Sequence, residues 1–303
     1  LNPKVSIIIP NYNHASFLQQ RLESVFNQTF KDFEVILLDD ASTDGSTALL
    51  KSYSKHPKVS HIVINKENSG SPFKQWRNGI ELAKGDFIWI AESDDYCDVH
   101  FLENLVKPLE NNTTVLAYCA TVHVDEVNKK QYRDVWAEAL DSSRWKNNYF
   151  NTGYLETKNY FRYRNIIPNA SAVLVRKNEL DKIDLPIQMR YCGDWYIWLN
   201  LLEYGNISYI HEPLNFYRKH PATTRLFKLL NDEKVRFKEY FTIVERYSSL
   251  WSRLKYLRRY EWIILECYLK QRTLGKFPNL KLNLPLEFQF AYAMLTLKKW
   301  FYK

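Results

Sequence analysis

Four short apolar runs, each closed by a polar cluster, constrain this chain more than any other feature. Val5-Ser-Ile-Ile-Ile9 is β-branched, carries almost no polar alternation and stops at Pro10 and Asn11. A run of that kind suits a strand covered on both faces, as in a parallel sheet. Residues 33–38, 59–64 and 87–91 repeat the pattern. Between them lie stretches of helical spacing: residues 16–27, with Phe17, Leu18, Leu22, Val25 and Phe26, then 46–54, then 73–83 before Gly85. This alternation predicts an α/β fold, a mainly parallel, doubly wound sheet flanked by helices. Such sheets bind ligands beyond the carboxyl ends of their strands. The polar clusters at residues 11–14, 39–44 and 92–95 all follow strands directly, so they are expected to meet in one crevice.

The remainder is less regular. Residues 115–124 and 171–175 read as strands, 208–210 and 214–217 as two short ones. Residues 195–203 read as a helix with Trp195, Trp198, Leu199 and Leu202 on one side. Residues 131–163 hold Trp136 and Trp145 among polar residues and suit a mobile flap or an acceptor wall. From Leu226 the spacing of Phe237, Phe241, Val244, Tyr247, Leu250 and Leu254 is helical, interrupted by Pro278 and Pro285 before a last apolar stretch at 286–300. The 303 residues therefore divide into a catalytic part, 1–225, and a helical extension, 226–303.

Charge follows that division. The formal net charge is +8, but residues 226–303 carry +9 and the first 225 carry −1. A sheet region that is not basic argues against nucleic acid as a partner. In the tail, Arg253, Lys255, Arg258 and Arg259 sit among Trp251, Leu254, Tyr256 and Tyr260, and Lys298, Lys299 and Lys303 flank Trp300, Phe301 and Tyr302. Basic and aromatic residues together suit a peripheral membrane contact. A packed helical subdomain or a homodimer surface explains the same residues without lipid. The four cysteines form no Cys-x-x-Cys pair, so neither a zinc site nor a disulfide framework is expected and a reducing compartment fits. No run of 18 apolar residues and no leader precedes the first strand, so the expected location is cytoplasmic, peripheral at the inner membrane face if the tail meets lipid.

Glu92-Ser-Asp-Asp95 places three carboxylates in four residues. Carboxylates this close repel, and a hard cation such as Mg²⁺ or Mn²⁺ relieves the repulsion while leaving positions for phosphate oxygens. A capping turn explains the same residues without a metal. Asp39 and Asp40 offer acceptors for a base or ribose, or cap the next helix. Tyr12 can stack on a base or simply pack.

Taken together, Val5-Ser-Ile-Ile-Ile-Pro-Asn-Tyr-Asn13, Leu22-Glu-Ser-Val-Phe-Asn-Gln-Thr-Phe30 and Phe33-Glu-Val-Ile-Leu-Leu-Asp-Asp-Ala-Ser-Thr-Asp-Gly-Ser46 resemble the N-terminal half of family 2 glycosyltransferases. Asn68-Ser-Gly70, Arg77-Asn78-Gly79-Ile80, Ala83-Lys-Gly85 and Glu92-Ser-Asp-Asp95 continue the resemblance. It implies a GT-A fold, a nucleotide-sugar donor (UDP foremost), a glycan or lipid-linked acceptor, and inversion at the anomeric carbon. It places donor-binding roles on Pro10, Tyr12, Asp39, Asp40, Arg77 and Asp94, with the uracil contact on Asp40. It places metal ligation on Asp94, Asp95 and His220, without separating which of Asp94 and Asp95 touches the metal and which the ribose or diphosphate. Glu92 replaces the usual first Asp of the family's Asp-x-Asp motif. Gly193-Asp-Trp195 resembles the Glu-Asp-Trp motif, which makes Asp194 the general base; the alternative is a helix cap. Gly193 departs from the usual acidic residue. Arg218 or Lys219 is expected to meet phosphate, and Asn169 to lie in an acceptor-side loop. A nucleotidyltransferase shares the sheet and the metal but normally brings a Gly-rich loop where this chain has Asn11-Tyr-Asn-His14. A non-catalytic nucleotide- or glycan-binding module is the third reading.

Overall fold

The computed structural model describes residues 2–220, 230–273, 285–290 and 293. Its elements run β1 (Val5–Asn11), α1 (Ala15–Phe26), β2 (Phe33–Asp39), α2 (Ser46–Ser52), β3 (Val59–Ile64), α3 (Pro72–Leu82), β4 (Phe87–Ile90), β5 (Tyr96–Cys97), α4 (Phe101–Leu109) and β6 (Thr114–Asp125). Then follow β7 (Lys130–Arg133), β8 (Tyr149–Asn151), α5 (Gly153–Glu156), β9 (Val173–Arg176), α6 (Lys177–Leu180), α7 (Gly193–Leu201) and β10 (Asn206–Lys219). Three more helices are α8 (Leu230–Tyr247), α9 (Leu250–Lys255) and α10 (Glu261–Thr273).

One sheet carries the order β3-β2-β1-β4-β9-β6-β10-β5, with β7 beside β6 and β8 beside β10. The first four strands are parallel. Every residue of β1, β2 and β4 is buried, as their unbroken apolar character predicts. The longest ladder, β6 with β10, is also parallel, while β9 runs antiparallel to both β4 and β6. Helix α3 lies tight on β1. A Cβ on Gly79 would come within 2.4 Å of the Ile8 side chain.

Two expectations change on contact with the structure, and a third is narrowed to one of its two readings. The two short strands at 208–210 and 214–217 are one strand, β10. Its pairing register shifts on either side of Pro213, which has no N–H for the ladder, so the sequence pattern breaks while the strand continues. Helix α7 is buried on nearly all sides, Trp195, Ile197, Trp198, Leu199, Asn200 and Leu201 included: Tyr240 of α8 meets Trp195, and Arg246 of α8 reaches Tyr196 and Asn200, outside the apolar side that the spacing predicts. Residues 131–163 pack as a wall: Trp145, Phe161 and Tyr163 are buried, and Trp145 Nε1 donates to the Tyr118 hydroxyl at 2.8 Å.

The C-terminal helices lie against this body. Glu239 of α8 accepts from the backbone N–H groups of Arg190, Tyr191 and Cys192 at 2.8, 2.9 and 2.9 Å. Trp262 of α10 donates to the Tyr163 carbonyl at 3.0 Å, and Arg259 to the Asn159 carbonyl at 2.7 Å. Arg253, read from sequence as part of a basic surface, is buried in an ion pair with Glu287. Trp251, by contrast, is 80% exposed, with Leu250 and Leu254 exposed beside it. The basic-aromatic cluster at 298–303 and the expected boundary at 225/226 lie outside the described residues. All four cysteines are buried and unbridged.

Candidate active site

Strand register builds the site. Asn11 at the end of β1 lies beside Asp39 at the end of β2, and the Asp40 N–H donates to the Asn11 carbonyl at 2.9 Å. β4 ends alongside β1, with Ile90 opposite Ile8, so the Glu92–Asp95 turn emerges next to the loop after β1. That loop reverses at Asn13, which holds φ at +56°, a conformation asparagine tolerates better than most residues. The reversal brings His14 against Ser93, with Nδ1 and Oγ 2.8 Å apart. From the far side β10 delivers His220, whose Nε2 lies 3.1 Å from an Asp94 carboxylate oxygen. Ligand atoms of His14, Asp94 and His220 all fall within 4.8 Å of one another.

The acidic residues of this turn have different environments. Burial works to raise the pKa of Asp94, but the hydrogen bond to His220 and the fields of both imidazoles outweigh it, and the group sits below its ordinary value. Asp95 is pushed up to about 7 by burial and by Asp94. It accepts from Ser171 Oγ at 2.7 Å, from Asn169 Nδ2, and from the Arg218 N–H at 3.0 Å. Glu92 is pushed up to about 8, first by burial and then by Asp94 and Asp95, against a 2.9 Å bond from Trp76 Nε1. Beneath them lies Arg21, fully buried on α1, donating to the Glu92 carbonyl at 2.8 Å. Burial lowers the pKa of His14, which favours the neutral ring that can ligate a metal.

Asp194 stands in the first turn of α7. Its Oδ2 accepts from Asn165 Nδ2 at 3.0 Å and its Oδ1 from the Trp195 N–H at 2.7 Å. The preceding Gly193 has a physical reason: a Cβ there would lie 2.5 Å from the Phe73 ring, which fills the space an acidic side chain would need. His14, Trp76, Glu92, Asp94, Asp95, Asn169, Asp194, Lys219 and His220 all line one cleft of about 990 Å³.

The other expected residues lie elsewhere. Pro10 is buried in β1, and Tyr12 just beyond it is 46% exposed. Asp39 is buried and accepts from Asn11 Nδ2, the Ser42 N–H and Thr47 Oγ1. Asp40 is held under the loop before α3 by Asn65, Ser69 and Gln75. Arg77 sits on the exposed side of α3, 3.8 Å from Glu81, and is not among the cleft residues. Arg218 is buried and donates to the Asp94 carbonyl, Glu126 and Gln20, leaving Lys219 as the member of that pair on the cleft wall. Sequence reasoning missed His14 as a cluster member and Arg21 as the buried cation. Arg21 had a signal: it interrupts the apolar stripe of Leu18, Leu22 and Val25.

Residues 6–175 match the profile of glycosyl transferase family 2. The chain belongs to that family. It is 33% identical over 147 residues to an uncharacterized glycosyltransferase of Rickettsia bellii, covering 48% of this chain but only 20% of that protein. It is 26% identical over 217 residues to the putative teichuronic acid biosynthesis glycosyltransferase TuaG of Bacillus subtilis, covering 71% of this chain and 79% of the relative. The crystal structure of S. aureus TarS in complex with UDP-GlcNAc superposes with a TM-score of 0.63 at 19% identity, covering 79% of this chain and 66% of TarS. At that identity the likeness shows the shared GT-A fold alone. Among the described residues, no helix is long and apolar enough to cross a membrane.

Proposed function

We propose that this chain transfers a sugar from a UDP-sugar to a hydroxyl of a glycan or lipid-linked glycan, with inversion and with Asp194 as general base. One observation carries the reading: the His14-Asp94-His220 cluster and Asp194 open onto the same cleft. The family match and the UDP-GlcNAc bound by a protein of the same fold support the donor class. Asp194 takes the acceptor proton as the hydroxyl attacks, and Asn165 fixes the carboxylate for that transfer. Tyr12, Asp39 and Asp40 stand at the strand ends where the uridine would lie, and Lys219 faces the diphosphate.

The cluster fits a divalent cation. It offers one carboxylate held below its ordinary pKa and two imidazoles, a set that suits Mn²⁺ better than the oxygen-seeking Mg²⁺. A cation there supplies positive charge against the departing diphosphate. Asp95, with its oxygens engaged by Asn169, Ser171 and Arg218, holds the turn in shape beside it. The division at residue 225 and a cytoplasmic place at the membrane's inner face belong to the same reading. The exposed Leu250, Trp251 and Leu254 are its candidate lipid contact, and a second copy of the chain is the other occupant that face would suit.

Calorimetric titration of Mn²⁺ and Mg²⁺, with and without UDP, tests the metal. Mn²⁺ is expected to bind more tightly than Mg²⁺ and to strengthen UDP binding, and His14→Ala is expected to weaken Mn²⁺ by roughly ten-fold. Equal Mn²⁺ affinity in wild type, His14→Ala and Asp94→Ala would remove the cluster from the account.

A further inference from the structure

The cleft wall next to Asp194 is aromatic, and one ring on it is held rather than buried. Trp136 is 44% exposed and lines the cleft. Its backbone is fixed at both ends: its N–H donates to Asp134 Oδ1 at 3.0 Å, and its carbonyl accepts from Arg164 Nη1 at 2.8 Å. Its ring is fixed as well. The Arg164 guanidinium lies 4.2 Å from the ring centroid, and Trp262 of α10 meets it at 5.3 Å and 84°. The indole N–H donates to the Asn165 carbonyl at 3.1 Å. The side chain of that same Asn165 donates to Asp194. A single residue therefore joins the exposed indole to the carboxylate assigned as base.

Exposed tryptophan is costly to leave in water, and a ring braced in this way keeps its apolar face oriented at little entropic cost on binding. What it would accept follows from its shape and from the charges around it. A flat indole complements the flat C–H face of a cyclic sugar. An open-chain polyol phosphate has no such face and needs cations instead. Four Lys and Arg side chains line the cleft, and none is set aside for an acceptor phosphate: Arg133 donates to Trp145, Tyr209 and His211, Arg236 pairs with Glu233 and Glu266, Arg190 lies 3.4 Å from Asp232, and Lys219, bonded to Tyr132, is the cation assigned to the donor diphosphate.

We propose that Trp136 is the platform for the acceptor, that the acceptor presents an uncharged pyranose ring there, and that Asn165 sets the spacing between that ring and Asp194. The proposal rests on the transferase reading above and adds the acceptor class to it.

Saturation-transfer NMR on the full chain with UDP and Mn²⁺ tests it, using methyl pyranosides (glucoside, galactoside, mannoside and N-acetylglucosaminide) and ribitol 5-phosphate as probes. At least one pyranoside should receive saturation on its ring C–H protons, and ribitol 5-phosphate should receive none. Trp136→Ala should weaken that pyranoside about ten-fold, the scale of one aromatic contact, while Trp136→Phe retains most of the signal. Both variants should bind UDP as the wild type does, which shows that they are folded. Pyranoside signals unchanged in Trp136→Ala, or ribitol 5-phosphate as the probe that binds, would overturn the platform. The underlying reading fails separately: Asp194→Asn should leave the pyranoside signal intact, so turnover surviving in that variant would count against the base without touching the platform.

Discussion

Asp94 and Asp95 are neighbours in sequence with opposite tasks. Asp94 faces two imidazoles across the cleft. Asp95 faces inward and ties three segments together through Asn169, Ser171 and Arg218. Removing Asp95 strands buried donors, so Asp95→Ala is expected to lose about 2–3 kcal/mol in urea unfolding of the metal-free protein. Asp94→Ala should lose less than that and should abolish the stabilisation given by Mn²⁺. If the two variants unfold alike and both still respond to Mn²⁺, the division of labour is wrong. The sequence could not separate these residues, because spacing along a turn reveals that two carboxylates are close and not which way each faces. His14 was invisible for a related reason. A histidine three residues beyond a strand acquires meaning only when β10 brings His220 to it from more than two hundred residues away. Asp194, by contrast, is singled out by its neighbours in the chain, which carry the resemblance, and it lines the same cleft.

At the scale of elements, the carboxylate proposed as base is held from outside its own helix. The Glu239 carboxylate on α8 accepts from three consecutive backbone N–H groups that lead into α7. They lie just before the helix, whose first residue is Gly193 and whose N-cap is Cys192, and a buried carboxylate is a strong acceptor for them. Glu239→Ala is therefore expected to cost about 3 kcal/mol in urea unfolding and to lower turnover by loosening Asp194, while Glu239→Gln retains part of both. A Glu239→Ala protein as stable and as active as wild type would show that α8 merely leans on α7. The first four strands and three helices were legible from β-branched runs and helical spacing, since each was periodic and bounded by Pro, Gly or a polar cluster. β10 was not, because Pro213 interrupts its pattern without interrupting the strand. The covering of α7 by α8 was not either, because the spacing in 195–203 marks one apolar side and says nothing of which later helix covers the other.

Over the whole molecule, the sheet brings the His14-Asp94-His220 cluster and Asp194 to one cleft, and the C-terminal helices complete it with Arg236, Tyr240, Trp262 and Glu266. The basic tail read from sequence is thus partly interior: Arg253 is buried, and Arg259 is bonded to the wall at Asn159. Charge counts along a chain report how many cations there are, while packing decides which remain available to a partner. Donor and metal binding are proposed for one side of the cleft and proton transfer for the other, so the two should separate by a single substitution. The most direct measurement compares UDP affinity, in Mn²⁺, with the rate of sugar transfer in Asp194→Asn. UDP should bind within about two-fold of wild type while transfer falls by roughly 10²- to 10⁴-fold, the usual contribution of a positioned general base. Transfer at the wild-type rate, or loss of UDP binding together with transfer, would contradict it.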